Sequence, residues 1–318
     1  MCNRIVSLDL GRWFFAFLII SLHMPMWAGF WFYPVARCGV PFFYMLTVFF
    51  LAESDGEKFL KSVKKWFRLW LAYTFIFLFV GTVSDFILDE LKSWTIRDTI
   101  QLFLSGNNSF IDEHNLKGRV YGISSLWFLY AGGWSLIFFS RTYSLFNKKW
   151  FKVLMLVMLF SGLILNYICR IHYNDGFRLV CMSIPFMYLG MYVGKEKRKF
   201  RSFDIQKILI GIVLVVFLSF GELFLVDRAH IPVQNYYITT IPLSLLLFMF
   251  FLNLKINHLG KFVQMFPQKS TMDVFIWHRM CLYFLALVSI YPQKNSAIVV
   301  FILVAMISFF VRKVFKRM

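Results

Sequence analysis

The chain has 318 residues, of which 59% are hydrophobic, 20% aromatic and only 16% charged, and its 34 Lys and Arg outweigh 16 Asp and Glu for a net charge of +18. Soluble chains run at roughly 45–50% apolar and about 25% charged, so the composition excludes a water-soluble surface, a disordered chain and a fibrous repeat, and it makes lipid the solvent for much of the molecule. In a soluble protein so basic a balance would suggest nucleic acid; here most Lys and Arg fall in short clusters between apolar runs, the pattern of membrane orientation, and no nucleic-acid partner is expected.

A bilayer crossing takes about 20 mostly apolar residues. Ten candidate spans follow in chain order, at 9–29, 38–53, 66–87, 124–141, 150–169, 178–195, 207–226, 236–254, 271–290 and 296–312. The first opens like a secretory signal, with Arg4 before an apolar stretch, but Asp9 and Arg12 interrupt it and no small-residue cleavage site follows, so it reads as a retained span. Between spans, basic clusters alternate with loops poor in positive charge. Lys58, Lys61, Lys64, Lys65 and Arg68 form the first cluster, and Arg141, Lys148, Lys149 and Lys152 the second. Lys195, Lys197, Arg198, Lys199, Arg201 and Lys207 form the third, followed by Lys255, Lys261 and Lys269 and by Arg312, Lys313, Lys316 and Arg317. The positive-inside rule then predicts an all-α, polytopic integral membrane protein of about ten transmembrane helices, both termini cytoplasmic, built as one domain over 1–318.

The longest predicted outer segment, 88–123, is either a lid over a pocket or a solvated connector; Gly106-Asn107-Asn108-Ser109 marks a turn in it. No internal or inverted repeat is visible, which weighs against the alternative of a transporter or flippase for a glycan or anionic substrate. The five cysteines are scattered, without metal-ligand spacing, so neither a metal nor a disulfide framework is expected.

Ionisable residues inside apolar segments cost several kcal/mol, roughly 2.5–3.5 on insertion scales, and so are functional candidates. They are Asp9, Arg12 and His23 in the first segment, Asp273, His278 and Arg279 in the ninth, and Glu222 near the outer end of the seventh. Asp9 and Arg12 are three apart and can pair on one helix face. Arg12 and His23 are eleven apart, almost three full helical turns, which puts them on one face about 16 Å apart along the axis.

Leu8-Asp9-Leu10-Gly11-Arg12 followed by His23 resembles the R-x10-H signature of the membrane acyltransferase 3 family, which includes bacterial O-acetyltransferases of O-antigens, enterobacterial common antigen and exopolysaccharides. Arg37-Cys38-Gly39-Val40-Pro41-Phe42-Phe43 resembles that family's opening of its second span. Lys65-Trp66-Phe67-Arg68 stands where the family has R-x-x-R, with Lys65 in place of the first Arg. Thr47-Val48 stand where many members have Ser-Gly. Leu126-Trp127-Phe128-Leu129, Leu189-Gly190-Met191-Tyr192-Val193-Gly194-Lys195 and Phe275-Ile276-Trp277-His278 also fit, so the likeness runs over about residues 5 to 312, in a form without an extra soluble domain.

The resemblance implies a multi-pass enzyme of the bacterial cell (inner) membrane that moves an acyl group, acetyl from acetyl-CoA, to a hydroxyl of a cell-surface glycan or its lipid-linked precursor. Such transfer needs a base, for which His suits neutral pH, and cations for the donor's phosphates. His23 is then the base and Arg12 a donor-binding or positioning cation. Lys65 and Arg68 are candidate phosphate ligands, or else ordinary topology-setting charges. His278 is either a second catalytic or donor-site residue or a helix–helix hydrogen bond, and Trp127 a pocket wall or packing residue. Glu222, Arg170, His172, Asp175 and Arg178 lie at the predicted outer face, where they either bind sugar hydroxyls or are simply solvated.

Overall fold

A computed structural model describes residues 5–22, 32–54, 56–87, 126–168, 175–230, 236–256, 273–274, 276–278, 281 and 298–306. Among these residues helices account for the regular structure and no strand occurs. In chain order the named helices are α1 (Val6–Leu22), α2 (Tyr33–Arg37), α3 (Gly39–Phe49), α4 (Gly56–Ile87), α5 (Trp127–Thr142), α6 (Lys149–Ile168), α7 (Asp175–Lys195), α8 (Lys197–Arg201), α9 (Ile205–Arg228) and α10 (Thr240–Asn253). Residues 298–306 are also helical. The chain divides into two compact units. One comprises 1–53, 186–278 and 291–318; the other comprises 54–185 and 279–290.

In the first unit α1, α3 and α10 pack on one another around aromatic side chains. Phe42 is wholly buried, 4.5 Å from Phe15 and 5.4 Å from Phe248 between ring centroids. Glycine lets these helices close up: a Cβ on Gly11 would stand 2.7 Å from the Phe42 ring, and one on Gly39 2.7 Å from Ile19. The second half of α7 approaches α3 still more closely. Gly190 abuts the Met45 backbone, and a Cβ on Gly194 would lie 2.8 Å from the Phe49 carbonyl. Gly190-x-x-x-Gly194 is thus a small-residue seam of the kind that joins helices in lipid, where close backbone approach replaces the hydrophobic drive. Trp13 and Phe17, one turn apart on α1, both meet Phe301 edge-on, so the 298–306 helix lies along α1.

The second unit rests on α4 against α5. Phe59, Val63, Trp66, Trp70, Thr74 and Phe77 recur at three- and four-residue steps and are all buried, forming one helical stripe. Gly132 and Gly133 of α5 leave room for Trp66 and Phe67. The hydroxyls of Ser135 and Ser183, both buried, share a 2.5 Å hydrogen bond between α5 and the first half of α7.

Outward faces are apolar. On α9, Leu209, Ile210, Val213, Leu214, Phe217, Leu218, Phe224 and Leu225 are exposed, as are Val153, Leu156, Val157, Phe160 and Ile164 on α6. Rows of this kind would be insoluble in water and are what hydrocarbon solvates. At 24 residues, α9 is long and apolar enough by itself to cross a bilayer, alone among the described helices.

The helices depart from the expected segments in three places. α4 starts at Gly56 rather than near 66, because its basic first turns carry Phe59 and Val63 on the buried stripe and so continue the helix. The 38–53 segment forms only the 11-residue α3, about 16 Å of helix against a hydrocarbon core of about 30 Å. Finally, two stretches read as connecting loops hold short helices: Tyr33–Arg37, started by Pro34 in its first turn, and Lys197–Arg201.

Candidate active site

The polar residues of α1 sit where the apolar pattern should exclude them. Arg12 Nη1 donates to Asp9 Oδ1 at 2.8 Å, with the Asp9 side chain 3% and the Arg12 side chain 17% exposed. The i,i+3 spacing makes this pair on one helix face, and the pair neutralises two charges that the apolar surroundings would otherwise penalise. Asp9 thereby fixes the orientation of the guanidinium. The cation also lies 5.6 Å over the ring of Phe50, at the end of α3.

Phe50 leads to a second cation. Its ring is 5.3 Å from that of Phe49, and the Lys197 ammonium lies 5.7 Å over Phe49. Arg12 and Lys197 therefore flank one aromatic pair, an arrangement favoured by the negative faces of the rings. Lys197 starts α8, which is pinned by the Asn253 side-chain amide donating to the Phe200 carbonyl at 2.9 Å and by Phe200 packing against Tyr192 and Phe203. Two open cavities share Lys197 and Arg201. One, of about 360 Å3, is walled by Ile5, Val6, Ser7, Leu254 and Ile256. The other, of about 620 Å3, adds Lys195, Arg198 and Lys199, together with Glu53 and Glu196.

α1 is helical up to Leu22, and His23 lies outside the described residues, as do Arg170, His172 and Arg279. Asp175 and Arg178 fall in the first turn of α7. His278 is 1% exposed in the interior of the first unit. Lys65 and Arg68 belong to the second unit, on the exposed side of α4 opposite the Phe59–Phe77 stripe. Trp127 opens α5 half-buried, while its neighbours Leu126, Phe128 and Leu129 are buried.

Glu222 has partners within the chain. Its carboxylate accepts from the Ile238 amide at 2.7 Å, the Thr239 amide at 2.9 Å and the Thr239 hydroxyl at 2.6 Å. It thus satisfies donors at the start of α10 and places negative charge at the positive end of that helix. Gly11 abuts Phe251 at the other end of α10. The twelve residue steps from Thr239 to Phe251 rise about 18 Å, so Glu222 and the Asp9–Arg12 pair lie beside opposite ends of α10.

The signal for the Lys197–Arg201 cavities was present in the sequence only as positive charge, which topology alone explains. Their walls come from 5–7, 195–201 and 254–256, and no local pattern announces that meeting.

No curated protein and no solved structure shows significant similarity to the chain. A family model described as an acyltransferase domain matches residues 5–311. That span takes in the paired charges of α1, the glycine seam of α7 and the apolar outward faces, and families of this type are membrane proteins. The chain belongs to the acyltransferase 3 family, and the protein is a membrane-associated acyltransferase.

Proposed function

We propose that this acyltransferase moves an acetyl group from acetyl-CoA to a hydroxyl of a cell-surface glycan or its lipid-linked precursor, in a bacterial inner membrane that it crosses ten times with both termini in the cytoplasm. The observation that carries this reading is the Asp9–Arg12 pair in the first turns of α1, with Asp9 buried and Arg12 partly so. It puts a fixed cation in the Arg position of the R-x10-H register, in a chain matched by the family over residues 5–311.

In this reading His23 takes the proton of the acceptor hydroxyl as its oxygen attacks the thioester carbonyl. The carbon–sulfur bond breaks, and the coenzyme A thiolate leaves and collects the proton from the imidazolium. Arg12, held by Asp9, positions the donor through charge-assisted hydrogen bonds. The resemblance makes Lys65 and Arg68 candidate ligands for donor phosphates, and Trp127 and His278 candidate substrate contacts, each within its own unit. The apolar bundle keeps water from competing as acceptor. The positive-inside rule places the basic segments, and so the donor, on the cytoplasmic side.

The test is transfer itself. Membranes containing the protein are incubated with radiolabelled acetyl-CoA and an extract of lipid-linked glycans. Label that becomes glycan-bound and is released by mild base, as an ester is, supports the reading. Unlabelled glycan alongside active transport of the same glycan supports the flippase alternative.

A further inference from the structure

We propose that the paired cavities around Lys197 and Arg201 form the binding site for the phosphate-bearing adenosine end of the acyl donor, an inference that rests on acetyl-CoA being that donor. Five cations and two carboxylates line the larger cavity, for a positive balance. Among the described residues Lys197, Arg198, Lys199 and Arg201 make no ion pair. Orientation in a membrane requires only that positive charge be on one side; it does not require a walled cavity. Here the backbone of α8 is pinned through Phe200 by Asn253 and Tyr192, and Lys197 is seated on Phe49, while Arg198, Lys199 and Arg201 reach out from that fixed turn.

The smaller cavity adds a second kind of surface. Ser7 and the same two cations line it together with Ile5, Val6, Leu254 and Ile256, and polar atoms form most of its open surface. A polar pocket continuous with a cationic one suits a ligand whose phosphates adjoin a sugar and a hydrogen-bonding base. At about 360 and 620 Å3 the cavities fall in the size range of cofactor pockets, roughly 300–1,000 Å3. The Phe49–Phe50 pair connects Lys197 to Arg12, so a donor anchored by its phosphates here has its thioester arm directed along the unit that carries α1. Anionic lipid headgroups share the phosphate chemistry, and the experiment separates the two sources.

The purified full chain in neutral detergent is treated with an amine-reactive reagent, and lysine modification is read by mass spectrometry with and without coenzyme A. Protection of Lys195, Lys197 and Lys199 by coenzyme A and by adenosine 3′,5′-bisphosphate, with Lys148, Lys149, Lys152 and Lys207 unchanged, supports the proposal. The Lys197→Gln/Arg201→Gln variant should bind coenzyme A about ten- to a hundredfold more weakly, the loss expected for charge-assisted hydrogen bonds, while Lys148→Gln/Lys152→Gln should bind it as the parent does. If the parent binds coenzyme A and the three lysines are not protected, the proposal is overturned and the donor assignment stands. If the parent binds no coenzyme A, both fall. If nanodiscs containing phosphatidylglycerol protect these lysines and coenzyme A does not compete, the site belongs to a lipid headgroup and the proposal is overturned.

Discussion

Lys65 and Arg68 on α4 look much like Lys197 and Arg201 on α8 when only the sequence is read. Each pair is two cations a few residues apart, beside an apolar helix. The structure separates them by what lies behind. The α4 pair occupies the outward side of a helix whose other side is filled by Trp66, Trp70 and Phe77. The α8 pair borders cavities, and one of its members shares an aromatic pair with Arg12. Charge orients a segment relative to the membrane in both cases; only the α8 pair adds a walled cavity, so the two pairs differ in the setting they offer a ligand.

The sharpest way to break this contrast is to remove a cation from each kind of setting. Arg12→Ala removes the cation that Asp9 bonds in a partly buried site, a loss below the ~3–5 kcal/mol of fully buried pairs. It should lower the unfolding temperature in detergent and nearly abolish transfer. Asp9→Asn/Arg12→Gln removes both charges and should recover much of the stability but little of the activity. Equal thermal stability of Arg12→Ala and Arg68→Ala would show that the ion-paired cation of α1 is no more structural than the exposed one of α4.

Packing provides the next largest difference. Gly190→Val drives a side chain into the Met45 backbone and should cost at least about 1–3 kcal/mol, the range for overpacking. Gly221→Ala on α9 meets nothing within 4 Å and should be neutral or stabilise by up to about 1 kcal/mol through helix propensity. Thermal unfolding of the two variants side by side checks both.

A smaller effect is expected on α4. If Arg68 contacts donor phosphates, Arg68→Ala should raise the acetyl-CoA KM by about tenfold, Arg68→Lys by less, and Lys65→Arg should be tolerated, because Lys keeps the charge and loses only the planar fork. An unchanged KM in Arg68→Ala would leave α4 with topology alone. The smallest effect belongs to Glu222→Gln. An amide keeps one acceptor oxygen but sets an N–H against the donors of Ile238 and Thr239, for about 0.5–1 kcal/mol of stability at this partly exposed site and an unaltered donor KM.

Much of this was legible in the residues. The Asp9–Arg12 pair follows from a three-residue spacing on an apolar helix, and eight of the ten apolar segments overlap named helices, from α1 to α10. Those signals are local: one turn of helix, or one run of hydrophobicity. Sequence alone leaves Glu222 open between sugar binding and solvation, because its partners, Ile238 and Thr239, stand sixteen and seventeen residues away and nothing beside it in the chain names them. The α8 cavities escaped for the same reason, as they need the starts of α1 and α8 and the end of α10 in one place. The Gly190–Gly194 seam was visible as a family motif, but its reason, contact with the backbone of α3, required the packed helices.

In the proposed reaction an imidazole, that of His23 in register with Arg12, takes the proton of the acceptor. The most direct test compares acetyl transfer by the parent and His23→Gln in membranes holding equal amounts of each protein. Gln keeps hydrogen bonding and approximate size but accepts no proton at neutral pH. A general base contributes about 10²–10⁴-fold, so a loss of that size with normal accumulation is the predicted result. Transfer by His23→Gln within a few-fold of the parent would contradict it, because a hydrogen bond between membrane helices contributes only about 0.6 kcal/mol and His23 would then be structural.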